Sequence, residues 1–284
     1  MLLYHRIAGP RRDPQMLDVR ARNFDEQLGI LARSTTPLPL DEFESLRRSG
    51  SLPARAVAVT FDDGYADNLH AAAPGLVRHG IPATVFITTG MIGSEREFWW
   101  DDVERIAFDA PLAGDDPASR QREYASLVSA LHPLPTAVRE RRLAALRVSK
   151  SMPEKGRESH RALSLDELRA LAVLPGISIG SHTMTHPSLA WLAIDDQTRE
   201  MAGSAAWLEG ELGIRVRALA YPFGTPGDVS RETVRAAADV CDYAMATDSG
   251  AAWKWSPRWR LPRVTVRDWD VALFSRRLDE WFEE

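Results

Sequence analysis

Short apolar runs recur along the chain and alternate with stretches whose apolar positions fall on a helical period. The runs at residues 2–5, 56–61, 83–88, 176–181, 216–221, 243–247 and 261–266 predict strands. Helices are predicted between them. "NFDEQLGILARS" begins at Asn23, and "DEFESLRRSG" opens on Asp41 and stops at Gly50. "YADNLHAAAPGLVRHG" ends at Gly80, with Pro74 expected to kink or divide it. "SLDELRALA" carries Ser164 and Glu167 at capping-box spacing. "DDQTREMAGSAAWLEGELG" runs to Gly213, and "SRETVRAAADV" starts at Ser230. This alternation predicts an α/β fold with a parallel sheet and crossover helices. About seven units suit a distorted or incomplete (β/α) barrel, formed by residues 1–284 as one domain.

Residues 94–162 break the rhythm. "EFWWDDVERIAFDA", "ASRQREYASLVSALH" and "TAVRERRLAALRVS" are three helical patterns with no strand between them. They predict a helical insertion, either a lid over a site or a plain structural extension.

Composition changes this picture little. An apolar share of 44% and a charged share of 26% are those of an ordinary globular protein. A net charge of −5 gives no electrostatic reason to expect nucleic acid as partner. The single cysteine, Cys241, excludes an internal disulfide and any multi-cysteine metal site. No run is long enough to span a bilayer, and "MLLYHRIAGP" lacks the basic start and long apolar stretch of a signal peptide. The expectation from these features is a cytoplasmic protein.

Two of the predicted strands end in chemistry. "AVAVTFDDGYADN" delivers Asp62 and Asp63 side by side, with Gly64 to relax a turn. "ISIGSHTMTHPSL" places His182 and His186 four residues apart, on one face of a helical turn and within reach of one ion. Either motif alone is compatible with a solvated turn. Together, at the C-terminal ends of strands where parallel α/β folds build their sites, they favour a metal centre. One carboxylate and two imidazoles form a recurring catalytic zinc set, and cobalt or nickel suit the same donors.

"TFDDG", "SHTMTH" and "YPFG", in that order and each after a predicted strand, resemble the first three motifs of the polysaccharide deacetylases, carbohydrate esterase family four. The resemblance covers roughly residues 1–92 and 163–266. It implies that Asp63, His182 and His186 hold a divalent metal and that Asp62 is the general base. It also implies that the backbone N–H of Phe223 faces the oxyanion. In the third motif the family's arginine falls on Ala220, so the usual tether of the base is missing. The family's Leu-x-His near the C-terminus is missing too, since no histidine follows His186. Leu3-Tyr4-His5 has that form at the other end, and resembles the branch that includes poly-N-acetylglucosamine deacetylases. First and last strands can be neighbours in a barrel, so His5 is the candidate general acid.

The segment "WKWSPRWRLPRVTV", residues 253–266, gathers aromatics and arginines, and Arg263 rather than Arg260 is the candidate replacement tether for Asp62. Tyr221, Trp255 and Trp99 are candidate substrate contacts. The expected reaction is metal-dependent hydrolysis of an N-acetyl group on an amino sugar, oligosaccharide or lipid-linked glycan. Hydrolysis of another C–N bond, of cyclic ureide or imide type, and carbohydrate binding without catalysis are the alternatives.

Overall fold

The computed structural model describes residues 1–9, 12–110 and 116–283. Residues 111–115, inside the expected insertion, and Glu284 lie outside the described residues. Each predicted strand contributes to one parallel sheet: β1 (Leu2–Tyr4), β2 (Val59–Phe61), β3 (Ala83–Ile87), β4 (Ile177–Ser181), β5 (Ala218–Ala220), β6 (Tyr243–Met245) and β7 (Val264–Thr265). Their order is β6-β5-β4-β3-β2-β1-β7. The sequence "ATVFI" of β3 is buried at every position, the continuous apolar run expected of a strand covered on both faces.

The sheet curls until its edges nearly meet. Leu261, three residues before β7, donates to the carbonyl of Ala244 and accepts from the N–H of Ala246, both at 2.9 Å. The turn of the sheet is tight at Gly180, where a Cβ would stand 2.3 Å from the Phe86 ring that fills the barrel interior. In this order β1 lies between β2 and β7, so the first and last strands are paired neighbours, with Leu2 beside Val264 and Leu3 beside Thr265.

The helices are α1 (Ala21–Ser34), α2 (Leu40–Ser49), α3 (Ala73–His79), α4 (Trp99–Asp109), α5 (Pro117–Leu131), α6 (Thr136–Ser149), α7 (Leu165–Ala172), α8 (Ile194–Leu212), α9 (Arg231–Val240) and α10 (Val271–Glu283). Local chemistry explains several of their ends. Ser164 and Glu167 form the capping box of α7, and Gly50 and Gly213 close α2 and α8 in the left-handed conformation. Pro74 divides its segment as expected. A π-helical turn over Asn68–Ala72 precedes it, and the proline sits in the first turn of α3, where its missing N–H costs nothing.

The sequence reading differs from the structure in several places, among them a short pair of strands, Arg6–Ala8 with Asp18–Arg20, that it does not predict. The run at 56–61 is split, because Ala56–Val57 pairs with Thr36–Pro37 and only Val59–Phe61 enters the main sheet. Helix α10, packed on α1, was not among the predicted elements.

The three helices α4 to α6 lie between β3 and β4 in the chain. They share a core of their own, in which Phe98, Trp99, Trp100, Val103 and Ile106 pack with Tyr124, Leu131 and Leu143. Tyr65, just after the paired aspartates, belongs to the same cluster. The insertion is therefore anchored beside the strand ends that carry the chemistry.

Candidate active site

The motif residues converge because each strand breaks its own geometry at its C-terminal end. Asp62 still continues the ladder, its N–H donating to the Tyr4 carbonyl at 3.0 Å. Asp63 then enters the left-handed region at φ 77°, a conformation uncommon outside glycine, and Gly64 follows at φ 82°. This turn brings two adjacent side chains, which would alternate on an extended strand, into one cavity.

The histidine motif needs a correction. His182 and His186 do not share a helical face; they lie on an irregular loop with Thr183 at φ 66° and His186 at φ 52°. Glu200 of α8 clasps that loop. Its carboxylate accepts the N–H of Met184 at 2.9 Å, the N–H of Thr185 at 2.8 Å and the Thr185 hydroxyl at 2.6 Å. The insertion grips the same residue from the other side. Thr136 meets the Thr185 hydroxyl at 2.8 Å, and Arg139 donates to the Thr185 carbonyl at 3.2 Å. Nothing local in "SHTMTH" signals this support.

Asp63, His182 and His186 are all buried, and one ligand atom from each lies within 4.8 Å of the others. His182 Nε2 stands 3.4 Å and His186 Nε2 3.3 Å from Asp63 Oδ1. The Nδ1 of His182 lies 2.8 Å from the carbonyl of Ala220, a contact that places the proton on Nδ1 and turns the Nε2 lone pair toward Asp63. Burial, opposed by Asp63, pulls His186 down to about 4, so its ring is neutral at physiological pH. Burial works to raise Asp63, but the two histidine rings set against it hold it well below the usual carboxylate range. An ionised carboxylate and two imidazole nitrogens turned to one point are the donor set a divalent metal takes, so these residues fit such an ion.

Asp62 is set apart by Arg263. The guanidinium, itself wholly buried, donates from Nη1 to Asp62 Oδ1 and from Nη2 to Oδ2, both at 2.7 Å. Arg263 also donates to the Ala246 carbonyl at 3.0 Å and to the Thr60 hydroxyl at 3.2 Å. Burial alone would raise the Asp62 pKa, but Arg263, His182 and His5 outweigh it and hold the carboxyl below its ordinary value. Arg260 goes elsewhere, pairing with Asp248 at 2.7 Å.

His5 and Phe223 line the same cavity of about 230 Å³ as Asp62, Asp63 and the two histidines. Burial keeps His5 below its ordinary pKa, although Asp63 and Asp62 pull the other way. Phe223 adopts φ 59°, and its ring stacks edge-on between His186 and His132. His132, at the end of α5, contacts Asp228 at 3.0 Å, and Asp228 accepts from Ser188 and Thr225. Trp100 lines the cavity and packs 4.5 Å from His186, ring centre to ring centre.

The three expected substrate contacts lie off the cavity wall. Trp99 is turned into the insertion core, over Arg139, and its neighbour Trp100 takes the wall position. Tyr221 is buried, with its hydroxyl donating to the Trp259 carbonyl at 2.8 Å. Trp255 is 74% exposed on a loop tied down by Arg47 of α2, which donates to the carbonyls of residues 253, 254 and 256. The sequence reading also missed Gln15, Leu17, Thr265 and Arg267, which line the cavity together with Leu3, Thr225 and Thr247.

Comparison with known proteins places the fold and the family. YxkH of Bacillus subtilis (strain 168) is 23% identical over 270 residues, spanning 94% of this chain and 70% of that one. The fold is shared with the Streptococcus pyogenes deacetylase PplD, solved in complex with acetate: TM-score 0.65, 22% identity, 94% of this chain and 91% of that one. It is shared too with IcaB from Ammonifex degensii: TM-score 0.65, 18% identity, 100% of this chain and 96% of that one. Among the described residues, no helix is long and apolar enough to cross a membrane. The family model described as polysaccharide deacetylase matches residues 49–110 and 156–245, more than half of the chain and both strand-end motifs, and the chain belongs to that family.

Proposed function

We propose that this protein is a metal-dependent N-deacetylase acting on an N-acetylated amino sugar within a glycan or glycan precursor. The observation that carries the reading is the division of the two adjacent aspartates. Asp63 turns to two histidines, while Asp62 is held by an arginine beside the same cavity. Asp63, His182 and His186 would hold the ion, which when bound polarises an amide carbonyl and acidifies a water.

Asp62 then acts as the base. The Arg263 fork keeps its carboxylate ionised and fixes its orientation, and a carboxylate outside the ligand set can accept a proton as water attacks. The Phe223 N–H is assigned to the oxyanion of the tetrahedral intermediate. His5 waits as a neutral imidazole, so the proton it gives to the leaving amine is one it gains during turnover. The proton removed from water at Asp62 is the one the amine requires, and the balance closes on acetate and a free amino sugar.

The test is acetate release from N-acetylated oligosaccharides by wild type, Asp62→Asn and His5→Gln, each shown to retain bound metal. Both substitutions are expected to reduce kcat by about 10²–10⁴. Near-full activity in Asp62→Asn would sink the mechanism. Ring-opened product from a cyclic ureide, without acetate from any sugar, would move the chemistry to a different C–N bond.

A further inference from the structure

The cavity carries one cation that the chemistry above does not use. β7 and the residues flanking it place Arg263, Thr265 and Arg267 at alternate positions, and alternate residues of extended chain share a face. Arg263 serves Asp62 at the base of the site, while Thr265 and Arg267 line the cavity above it. The register gives Arg267 a lateral neighbour as well. Tyr4 pairs with Phe61, and Leu3 with both Thr60 and Thr265. Continued past the paired residues, one position beyond Tyr4 and Phe61 and two beyond Thr265, that register sets Asp62, His5 and Arg267 in a row just after the ends of β2, β1 and β7. Two strand spacings put the Arg267 backbone about 10 Å from that of Asp62.

Arg267 makes no direct ion pair among the described residues, although the charge of Asp13 acts on it through space. Its Nη1 donates to the carbonyls of Gln15 and Met16. The nearby acids are committed elsewhere. Asp13 accepts the N–H groups of Leu17 and Asp18, both at 2.9 Å, and Asp268 pairs with Arg20 and Asn23. Nη1 is used in binding the 13–17 loop, and Arg267 is at the same time part of the cavity lining. A half-buried guanidinium in a binding cavity, without an acid of its own, matches an anionic oxygen group on a ligand.

Resting on the deacetylase reading, we infer that the substrate is an acidic N-acetylated sugar, whose carboxylate or phosphate group docks on Arg267 while its N-acetyl group faces Asp62 and His5. The neutral amino sugar alone leaves Arg267 unmatched.

Equilibrium binding to the intact protein tests this with three probes: N-acetylglucosamine, its 6-phosphate and its 3-O-lactyl ether. At least one acidic probe is expected to bind about tenfold or more tightly than the neutral sugar, with a preference that weakens as salt is added. The probe preferred tells phosphate from carboxylate. In Arg267→Gln the acidic-to-neutral affinity ratio is expected to fall towards one, and in Arg267→Lys to recover in part. Melting curves check that each variant folds; should Arg267→Gln fail to fold, the wild-type ratio and the Lys variant decide. Equal or weaker binding of both acidic probes by the wild type, or a preference that survives loss of Arg267, overturns the inference. Acetate release is read separately. An Arg267-dependent acidic preference without acetate from any probe would remove the deacetylase reading and leave the anion site standing.

Discussion

Arg263 and Asp62, 201 positions apart in the chain, form a fork-to-fork pair with both contacts at 2.7 Å and both side chains buried. The pair accounts for Ala220, the residue on which the family's arginine falls. The arginine that holds Asp62 comes instead from the residue just ahead of β7, and the Ala220 carbonyl accepts the Nδ1 proton of His182.

A double-mutant cycle measures that pair. Arg263→Ala leaves a buried carboxylate uncompensated, an arrangement that costs about 3–5 kcal/mol when one partner of a buried pair is removed. Asp62→Asn leaves the guanidinium partly satisfied by Ala246 and Thr60. The double variant is expected to lose less stability than the two single variants summed, with a coupling of roughly 0.5–3 kcal/mol in urea unfolding. Additive losses would mean that the contact contributes nothing specific.

On the proposed reading, removal of the ion is visible in stability as well as in activity. An ion that binds only the folded state adds about 2.7 kcal/mol at a hundredfold excess over its Kd. Chelation is expected to lower the melting temperature, and addition of zinc, cobalt or nickel to restore it. His182→Ala and His186→Ala should melt at one temperature with or without the ion. A wild-type curve indifferent to every divalent ion would argue against the site.

Much of this was readable from the chain because the decisive features are local. Parallel strands buried on both faces appear as unbroken apolar runs, and Asp62-Asp63 and His182–His186 directly follow two of them. What was not readable depends on docking. Trp99 and Trp100 are consecutive on a helix and point about 100° apart, so only the placement of α4 decides which meets the cavity. The left-handed residues of the histidine loop depend on Glu200, fifteen positions away from Thr185, and no rule of spacing reports such a clasp. Helix α10 did carry a pattern, with Phe274, Leu278, Trp281 and Phe282 on one side.

Stability should rise with pH between about 3 and 6.5 through His160. Its ring is buried beside Arg6, Arg157, Arg105 and Arg12, and that burial and positive surrounding lower its pKa to about 3 from an ordinary 6.5. The folded chain keeps the ring neutral, so in this window the unfolded chain binds more protons. The stabilisation is complete above 6.5 and is lost as pH falls. His160→Gln is expected to flatten the slope of unfolding free energy against pH over that interval. An unchanged slope would place the titration elsewhere.

Glu200 offers a test of how the ligand loop is held. It touches neither histidine, yet it accepts three hydrogen bonds from the two residues between Thr183 and His186, both of which sit at positive φ. Without it, the loop is free to relax toward ordinary backbone angles, and His186 would leave the point it shares with Asp63 and His182. Outer partners that orient metal ligands are typically worth about 10–100-fold in affinity. Glu200→Ala is therefore expected to weaken ion binding by that factor in a chelator competition, and Glu200→Gln, which keeps one acceptor oxygen, to lose less. The melting temperature of the ion-free variants separates two roles for the residue. A purely structural contribution would lower that temperature and leave the affinity unchanged. Positioning of the ligands would lower the affinity beyond what the loss of stability explains.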